Sequence, residues 1–303
     1  MKDPHYRCWA SFHGGHSQYG DGRGTVDKIA QMAAQRDFRS YGFSEHFTTP
    51  PHNAFSPDGV VTDLHLRSEW LKEYVTAVQA AKARFADQMS ILLGTEFEYI
   101  RGAESWTREQ LSQWSFDYLV GSVHYVRFGE DDICIDWDRP RIEEALRRAG
   151  SAERLQLAYY DHVLELLDWR RAHVIGHLDL IKMNLHPQEQ VLTPGIRSKV
   201  QTVLETIRDR GLAMDVNARG LIKPCRAIYP GDWILEQASR MGVLPTLGDD
   251  SHGPDEVGAR LDKAVAALRR SGFDRMAIVH AGGALEPVPL PPAGVSQSDS
   301  EGS

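Results

Sequence analysis

Residues 11–22 read SFHGGHSQYGDG and follow a short apolar run, residues 8–10, at which the first strand is predicted to end. Successive side chains of a strand point to opposite faces, so His13 and His16, three positions apart, cannot point the same way from a regular strand. The two intervening glycines tolerate backbone conformations that other residues avoid, so both imidazoles can turn toward one point, as the ligands of a metal ion would. A glycine-rich surface turn that happens to hold two histidines fits this stretch, taken alone, equally well.

The length and composition are those of a soluble globular protein with one large domain. The chain has 303 residues, of which 42% are hydrophobic and 25% charged, and α/β barrels commonly fill ~250 residues or more as one domain. No apolar segment approaches the ~20 residues of a membrane span, and the N-terminal MKDPHYRCWA lacks the apolar centre of a secretory signal. We therefore expect a cytoplasmic protein with no membrane partner. The three cysteines are too scattered for a disulfide framework or a CxxC-type zinc site.

Short apolar runs alternate with amphipathic helical stretches along the chain. The runs read RCWASFH, SYGFSEH, ILLGTEFEYI, YLVGSVHYV, AHVIGHLDLI, LAMDVNA and VLPTLGDDSH. Helical periodicity lies at residues 26–35, 64–85, 141–168, 196–210, 232–241 and 255–271. This order predicts parallel strands in repeated βα units, and seven units favour a closed barrel over an open sheet. We expect a single α/β domain over residues 1–285, followed by a disordered Pro- and Ser-rich tail at residues 286–303.

A long loop is predicted after the second apolar run. Residues 48–63, TTPPHNAFSPDGVVTD, are rich in proline. The segment is either a lid over a site or a long connection, and the sequence favours neither.

The predicted strands end in imidazoles and carboxylates. Such groups follow six of the seven runs: His13 with His16, His46, Glu96, His124, His177, and Asp250 with His252. Because the carboxyl ends of parallel strands lie on one rim of a barrel, we expect these side chains to converge there. A single one of these histidines is more simply explained by an ordinary hydrogen bond. The whole set is not, since a random placement would put only a few at strand ends.

Imidazole and carboxylate together suit zinc, iron or manganese. With Asp21 there are nine groups, enough for three ions at about four ligands each if a carboxylate or a water is shared. The sequence therefore predicts a multinuclear metal site at the C-terminal rim of the strands. Such a site lowers the pKa of bound water and stabilises both the attacking and the leaving oxygen in phosphoryl displacement.

The ordered motifs resemble the polymerase and histidinol phosphatase (PHP) superfamily, and within it the histidinol-phosphate phosphatase family. The matching segments are HGGHS at 13–17, GFSEH at 42–46, GTEFEYI at 94–100, VGSVHYV at 120–126, VIGHLDLIK at 174–182, DVNARGLIKP at 215–224 and GDDSHGPDEVG at 248–258. The resemblance implies a distorted (β/α)7 TIM-like barrel with two or three divalent ions, zinc, manganese or iron. It also implies hydrolysis of L-histidinol phosphate to L-histidinol and phosphate in histidine biosynthesis.

The resemblance also implies roles for individual residues. One metal would be surrounded by His13, His16, Glu96 and Asp250; Glu96 would bridge to a second ion reached by His124; and His46, His177 and His252 would complete the remaining positions, with Asp21 as a further ligand. Catalysis through metal-activated water would depend on Glu96, Asp250 and His252. Asp179 is expected to orient an imidazole by accepting its other N–H.

Two features depart from the family pattern. The common first motif is HxH, whereas this chain has HGGH, so the extra residue is expected in a bulge. The GLRKP-like segment has Ile222 where a basic residue is usual. We expect Arg219 and Lys223 to bind phosphate instead, since a guanidinium fork matches phosphate oxygens; a surface arginine beside a loop is the simpler alternative.

The expected partner is a small phosphate ester. The net charge of −8 argues against nucleic acid, because a phosphate backbone is bound by clustered lysine and arginine. Three alternatives stay open: another small phosphomonoester as substrate, a nuclease of the same superfamily, and a metal-binding protein without catalysis. We expect a monomer or a small homo-oligomer.

Overall fold

The computed structural model describes residues 9–50 and 64–292, except for the side chains of residues 64–67. Its strands are β1 Trp9–Ser11, β2 Phe38–His46, β3 Ser90–Glu98, β4 Tyr118–Ser122, β5 Tyr125–Phe128, β6 Asp131–Cys134, β7 Val174–Ile175, β8 Ala213–Asn217, β9 Leu244–Gly248, β10 Arg275–Val279 and β11 Leu285–Pro289. Its α-helices are α1 Val26–Gln35, α2 Leu64–Arg84, α3 Glu104–Ser112, α4 Arg139–Ala149, α5 Ala152–Trp169, α6 Pro194–Asp209, α7 Asp232–Met241 and α8 Leu261–Arg270.

Seven of the strands form one parallel sheet that curls into a nearly closed barrel. The order is β1-β2-β3-β4-β7-β8-β9, and every neighbouring pair is parallel. The first and last strands meet through backbone hydrogen bonds: the Phe12 N–H donates to the Leu247 carbonyl at 2.9 Å, and the Asp250 N–H to the His13 carbonyl at 2.8 Å. The predicted seven-unit barrel is thus confirmed. Both faces of its strands are covered, which is why they are short and mostly apolar.

One predicted helix is two helices in the structure. The periodicity at residues 141–168 is interrupted by Gly150, which ends α4 in the left-handed conformation at φ 78°. Ser151 then caps α5 by accepting a hydrogen bond from the Arg154 N–H. Glycine is favoured just after a helix and serine just before one, so the break has a local cause. The helix predicted at 255–271 likewise begins later, at Leu261, after a 3₁₀ turn over Pro254–Glu256.

The C-terminal segment corrects the expected start of the tail. Residues 286–289 belong to β11, which pairs antiparallel with β10. This hairpin contacts the N-terminal ends of the barrel strands: Glu286 pairs with Arg39 at 3.2 Å, and the Gly282 N–H donates to the Asp117 carbonyl at 2.7 Å. It therefore covers the end of the barrel opposite the predicted site. Residues 293–303 lie outside the described residues, as do residues 51–63 of the loop predicted after β2.

A second hairpin, β5 with β6, is inserted between β4 and α4 and is antiparallel. It carries Cys134 and Asp136 to the wall of the cavity at the C-terminal rim of the barrel. Among the described residues, every helix is too short or too polar to cross a bilayer.

Candidate metal centre

The C-terminal ends of the strands surround a cavity of about 540 Å³. Seven of the nine predicted ligands line it: Asp21, His46, Glu96, His124, His177, Asp250 and His252. His13 and His16 lie beneath its floor and are fully buried. The structure thus brings the predicted set together at the rim that sequence order indicated, because a parallel barrel places all carboxyl ends on one side.

The Glu96 carboxylate lies at the centre of this set. Its Oε2 lies 3.2 Å from His13 Nε2, 3.3 Å from His46 Nδ1 and 3.9 Å from His16 Nε2, and its Oε1 lies 3.1 Å from His177 Nε2 and 3.7 Å from His124 Nε2. Five imidazoles therefore face one side chain. Two further carboxylates complete the arrangement: Asp250 Oδ1 is 3.5 Å from His16 Nε2, and Asp21 Oδ2 is 3.2 Å from His252 Nε2.

These groups fall into three overlapping sets whose donor atoms all lie within 4.8 Å of one another. The sets are His16 with Asp21, His46 and His252; His13 with Glu96 and His177; and His13 with His16 and Asp250. His124 is the one predicted histidine ligand outside these sets, although it faces Glu96.

The distances between the donor atoms match those expected around a bound divalent metal ion. Two ligands bound ~2.1 Å from an ion at a tetrahedral angle lie about 3.4 Å apart, close to most of the separations above. Nε2 of His13 and Nε2 of His16 are buried without a hydrogen-bond partner. Buried polar atoms are normally paired, so these unpaired nitrogens are available to coordinate a metal ion. The clusters can therefore bind metal.

The HGGH segment brings its two histidines together as predicted. Their ring centroids are 6.3 Å apart, and both belong to the set completed by Asp250. Gly14 and Gly15 have φ values of 149° and 73°, which L side chains rarely adopt. The expected bulge does not lie between the two histidines, because β1 ends at Ser11 and the glycines follow it in irregular backbone; the register shift of β1 is at Trp9 and Ala10.

Three carboxylates that the sequence analysis did not single out hold imidazoles in place. Asp215 Oδ2 lies 2.7 Å from His13 Nδ1, Glu98 Oε2 lies 2.5 Å from His124 Nδ1, and Glu45 Oε1 lies 3.5 Å from His16 Nδ1. Such partners fix the ring orientation and raise the basicity of the ligand. Their signal in the sequence is an acidic residue inside a buried strand, at β8, β3 and β2 respectively.

The role expected for Asp179 is wrong. Its Oδ2 accepts hydrogen bonds from Lys182 Nζ at 2.7 Å and from the Gly231 N–H at 2.9 Å. Asp179 precedes the 3₁₀ turn Leu180–Lys182, and this turn directs the carboxylate toward the loop before α7, away from the imidazoles. Its other oxygen, Oδ1, is buried and has no hydrogen-bond partner among the described residues, so Asp179 accepts no hydrogen bond from an imidazole.

Arg219 enters the same cavity from the 3₁₀ turn Arg219–Ile222 after β8. Its Nη1 donates to the Asp250 carbonyl at 2.8 Å and to Glu256 Oε2 at 2.7 Å, whereas its buried Nε has no partner. Lys223 also lines the cavity. Arg219 and Lys223 thus place two cations at the cavity, whereas Ile222, which lies between them in the sequence, is 40% exposed.

Comparison with known proteins decides the family. The model of the PHP domain matches residues 13–219, more than half of the chain. The chain belongs to the PHP domain family. It is 30% identical over 269 residues to a Schizosaccharomyces pombe protein named "Probable histidinol-phosphatase", covering 86% of this chain and 85% of that one. It is 27% identical over 241 residues to the histidinol-phosphatase of Bacillus subtilis, covering 77% and 89%.

Solved structures show the same fold as this PHP domain. A Listeria monocytogenes protein, solved as a candidate histidinol phosphatase, matches with a TM-score of 0.76 at 23% identity, over 84% of this chain and 99% of that one. The histidinol phosphate phosphatase of Lactococcus lactis, in complex with zinc, L-histidinol and phosphate, matches with a TM-score of 0.70 at 20% identity, over 92% and 99%. These matches support the barrel described above.

Neighbouring charges shift the pKa values of the buried groups in this PHP domain site. Burial raises the pKa of Glu96, but the His13 and His46 imidazoles outweigh it and hold the pKa well below its usual value. Burial lowers the pKa of His16, but Asp250 and Glu45 outweigh it and raise the pKa to about 10. In the metal-free protein Glu96 is therefore charged and His16 keeps its proton at neutral pH, and metal binding must displace that proton.

Proposed function

We propose that this PHP domain is a metal-dependent phosphomonoester hydrolase that converts L-histidinol phosphate and water to L-histidinol and phosphate, a reaction of histidine biosynthesis. The observation that carries the proposal is the convergence of imidazoles on Glu96 in a cavity that also holds Arg219. Relatives named as histidinol-phosphatases along most of the chain, and a related fold solved with zinc, L-histidinol and phosphate, support this choice of substrate.

The proposed cofactor is two or three divalent ions, with zinc first and manganese or iron as alternatives. The three overlapping ligand sets support this number, because each holds at least three donor groups. Bound ions would act as Lewis acids on the phosphoryl oxygens and lower the pKa of water at the site. Within the chain, Glu96 and Asp250 supply the negative charge that holds the ions, and His252 is fixed for the same task by its Nδ1 contact with the Asp250 carbonyl at 2.9 Å.

The proposed phosphate ligands are Arg219 and Lys223. With Nη1 occupied, the Nε and Nη2 edge of the Arg219 guanidinium keeps two parallel N–H donors, and within the described residues no acceptor takes either. This edge matches two phosphoryl oxygens and would neutralise the charge that they carry during transfer. Asp136, which lines the same cavity, supplies a carboxylate for the ammonium group of histidinol.

The experiment that tests the substrate is a panel of phosphomonoesters, including L-histidinol phosphate, assayed with the zinc-loaded protein. We expect kcat/KM for L-histidinol phosphate to exceed that for the other esters by at least about tenfold, since contacts to the nonreacting part are worth 1.4 kcal/mol or more. Equal values of kcat/KM across the panel would support the proposed phosphatase activity but contradict L-histidinol phosphate as its specific substrate. DNA ends, included as a substrate, test the nuclease alternative.

A matched pair of variants tests the site. We expect His252→Ala to abolish turnover while the far-UV circular dichroism stays unchanged. His280→Ala is the control, because His280 is exposed on the C-terminal hairpin and its side chain pairs with Glu286, far from the cavity. Phosphatase activity that survives in the His252 variant, or in protein shown to be free of metal, would contradict the proposed site.

A further inference from the structure

Glu256 joins the two loops that meet at the cavity. Its Oε2 accepts hydrogen bonds from the His252 backbone N–H at 2.9 Å and from Arg219 Nη1 at 2.7 Å. Its Oε1 accepts a hydrogen bond from Arg23 Nη2 at 3.1 Å on the outer side. A single carboxylate thus contacts the loop after β9, which carries His252, and the turn after β8, which carries Arg219.

These contacts fix the orientation of the Arg219 guanidinium at the cavity. Nη1 is held by two acceptors, the Asp250 carbonyl and Glu256 Oε2. A guanidinium is planar, so fixing Nη1 at two points also fixes the direction of Nε and Nη2. The side chains of Arg219 and Glu256 are 14% and 23% exposed, so water screens their interaction less than it would at the open surface. Removal of Glu256 leaves one carbonyl to hold the guanidinium.

We propose that Glu256 is a positioning residue that holds Arg219 with its Nε and Nη2 edge toward the substrate phosphate. The inference rests on the proposed function of the site, in which Arg219 binds phosphate. Glu256 itself does not touch the substrate. Lys223 has no comparable anchor among the described residues, so oriented binding of phosphate depends on the pair formed by Arg219 and Glu256.

A purely structural role of Glu256 makes a different prediction. If it only caps the turn by accepting from the His252 N–H, its loss would act on the metal ligand and would be independent of Arg219. If it acts through Arg219, its loss would have no effect once Arg219 is gone. A double-mutant cycle separates the two, because only directly coupled residues give nonadditive effects.

The experiment measures binding of inorganic phosphate to the zinc-loaded protein by titration calorimetry, and its inhibition constant in the phosphatase assay. We expect Glu256→Gln to weaken phosphate binding about tenfold, the usual size of a charge-assisted hydrogen bond, with bound zinc unchanged. Arg219→Met should weaken it at least as much. The double variant Arg219→Met with Glu256→Gln should match Arg219→Met within about twofold, since the coupling is then absent.

Additive effects in the cycle would overturn the inference, as would loss of zinc from the Glu256→Gln protein. Arg23→Gln is the matched control: it removes the outer contact of the same carboxylate, its side chain is 66% exposed, and it should change phosphate binding by less than about twofold. Glu256→Asp keeps the charge and should restore part of the affinity; it replaces Glu256→Gln in the cycle if that variant does not fold.

Phosphate binding does not depend on which ester is the substrate, so the inference and the proposed function can fail separately. Wild-type protein that hydrolyses L-histidinol phosphate and binds phosphate no better than the Glu256→Gln variant overturns only the role of Glu256. Wild-type protein that binds no phosphate overturns the proposed function, and the inference with it.

Discussion

Replacing Gly14 with alanine perturbs the point at which the first and last strand-end loops approach each other most closely. A Cβ atom built on Gly14 would lie 2.1 Å from Asp249 Oδ1 and 3.0 Å from both the Asp250 and Ser251 backbone nitrogens. Its φ of 149° is also unfavourable for an L side chain. The Asp249 carboxylate cannot move freely, since it accepts hydrogen bonds from Ser11 Oγ at 3.2 Å and from the Gly258 N–H at 2.5 Å.

The expected loss of stability follows from these two effects. The backbone conformation alone costs about 1 kcal/mol. Displacing a buried carboxylate from a hydrogen bond adds about 1.5–3 kcal/mol. We therefore expect Gly14→Ala to lower the free energy of unfolding by about 2.5–4 kcal/mol. Gly211→Ala is the matched control, because Gly211 also has a positive φ, 64°, but no atom within 4 Å of the added Cβ, and it should cost only about 1 kcal/mol.

The assay combines denaturant unfolding with measurement of bound zinc. Because Gly14 separates His13 from the rest of the HGGH turn, we expect its variant to lose zinc as well as stability. The control should keep its zinc. Equal losses of stability in the two variants, with zinc retained in both, would refute the argument that close approach to Asp249 requires glycine at this position.

Three further outcomes follow from the geometry. Asp215→Asn should weaken zinc binding about 10–100-fold by releasing His13 from its 2.7 Å contact; unchanged affinity in a chelator competition would show that Asp215 does not orient the ring. Since the pKa values of His16 and His124 are raised to about 10 in the metal-free protein, and that of His13 is raised as well, protons must leave on binding, so apparent zinc affinity should rise by at least about tenfold per pH unit between pH 7 and pH 9; a flat profile would contradict this. Arg139 lowers the pKa of Glu189 to about 2, so this pair stabilises the fold above the unfolded pKa near 4.5 and ceases to do so as pH falls through about 2. Glu189→Gln should therefore cost about 1 kcal/mol at pH 7 and progressively less in acid, whereas a constant difference would exclude the ion pair as the cause.

Much of the metal centre could be predicted because it depends on topology. His46, Glu96, His124 and His177 are far apart in sequence, but each lies at the carboxyl end of a strand of one parallel barrel, and these ends share a rim. Identification of the strands in the sequence is therefore enough to predict that these side chains converge. The break between α4 and α5 was also within reach, because Gly150 and Ser151 are strong end and start signals that the longer periodicity obscured.

The partners of the ligands could not be predicted in the same way. Asp215, Glu98 and Glu45 lie in strands. The alternation along a strand predicts which face each side chain points to, but it does not predict which imidazole each carboxylate contacts. Asp179 shows the reverse error: the sequence predicted that it holds an imidazole, but the 3₁₀ turn that follows it places its carboxylate beside Lys182. Such pairings depend on rotamers and loop paths, which the three-dimensional packing sets.

The closure of the barrel also fixes when the metal centre can form during synthesis. His13 and Asp250 meet across the joint between the first and last strands, through the Asp250 N–H and the His13 carbonyl. A nascent chain therefore displays His13 and His16 long before Asp250, the carboxylate that completes their set, has left the ribosome. The entropic cost of closing so long a loop grows only with the logarithm of its length. The time needed to synthesise the intervening chain therefore sets when the site can form. Shortening the chain before β9 would leave an open sheet with unpaired edges and an incomplete set of ligands.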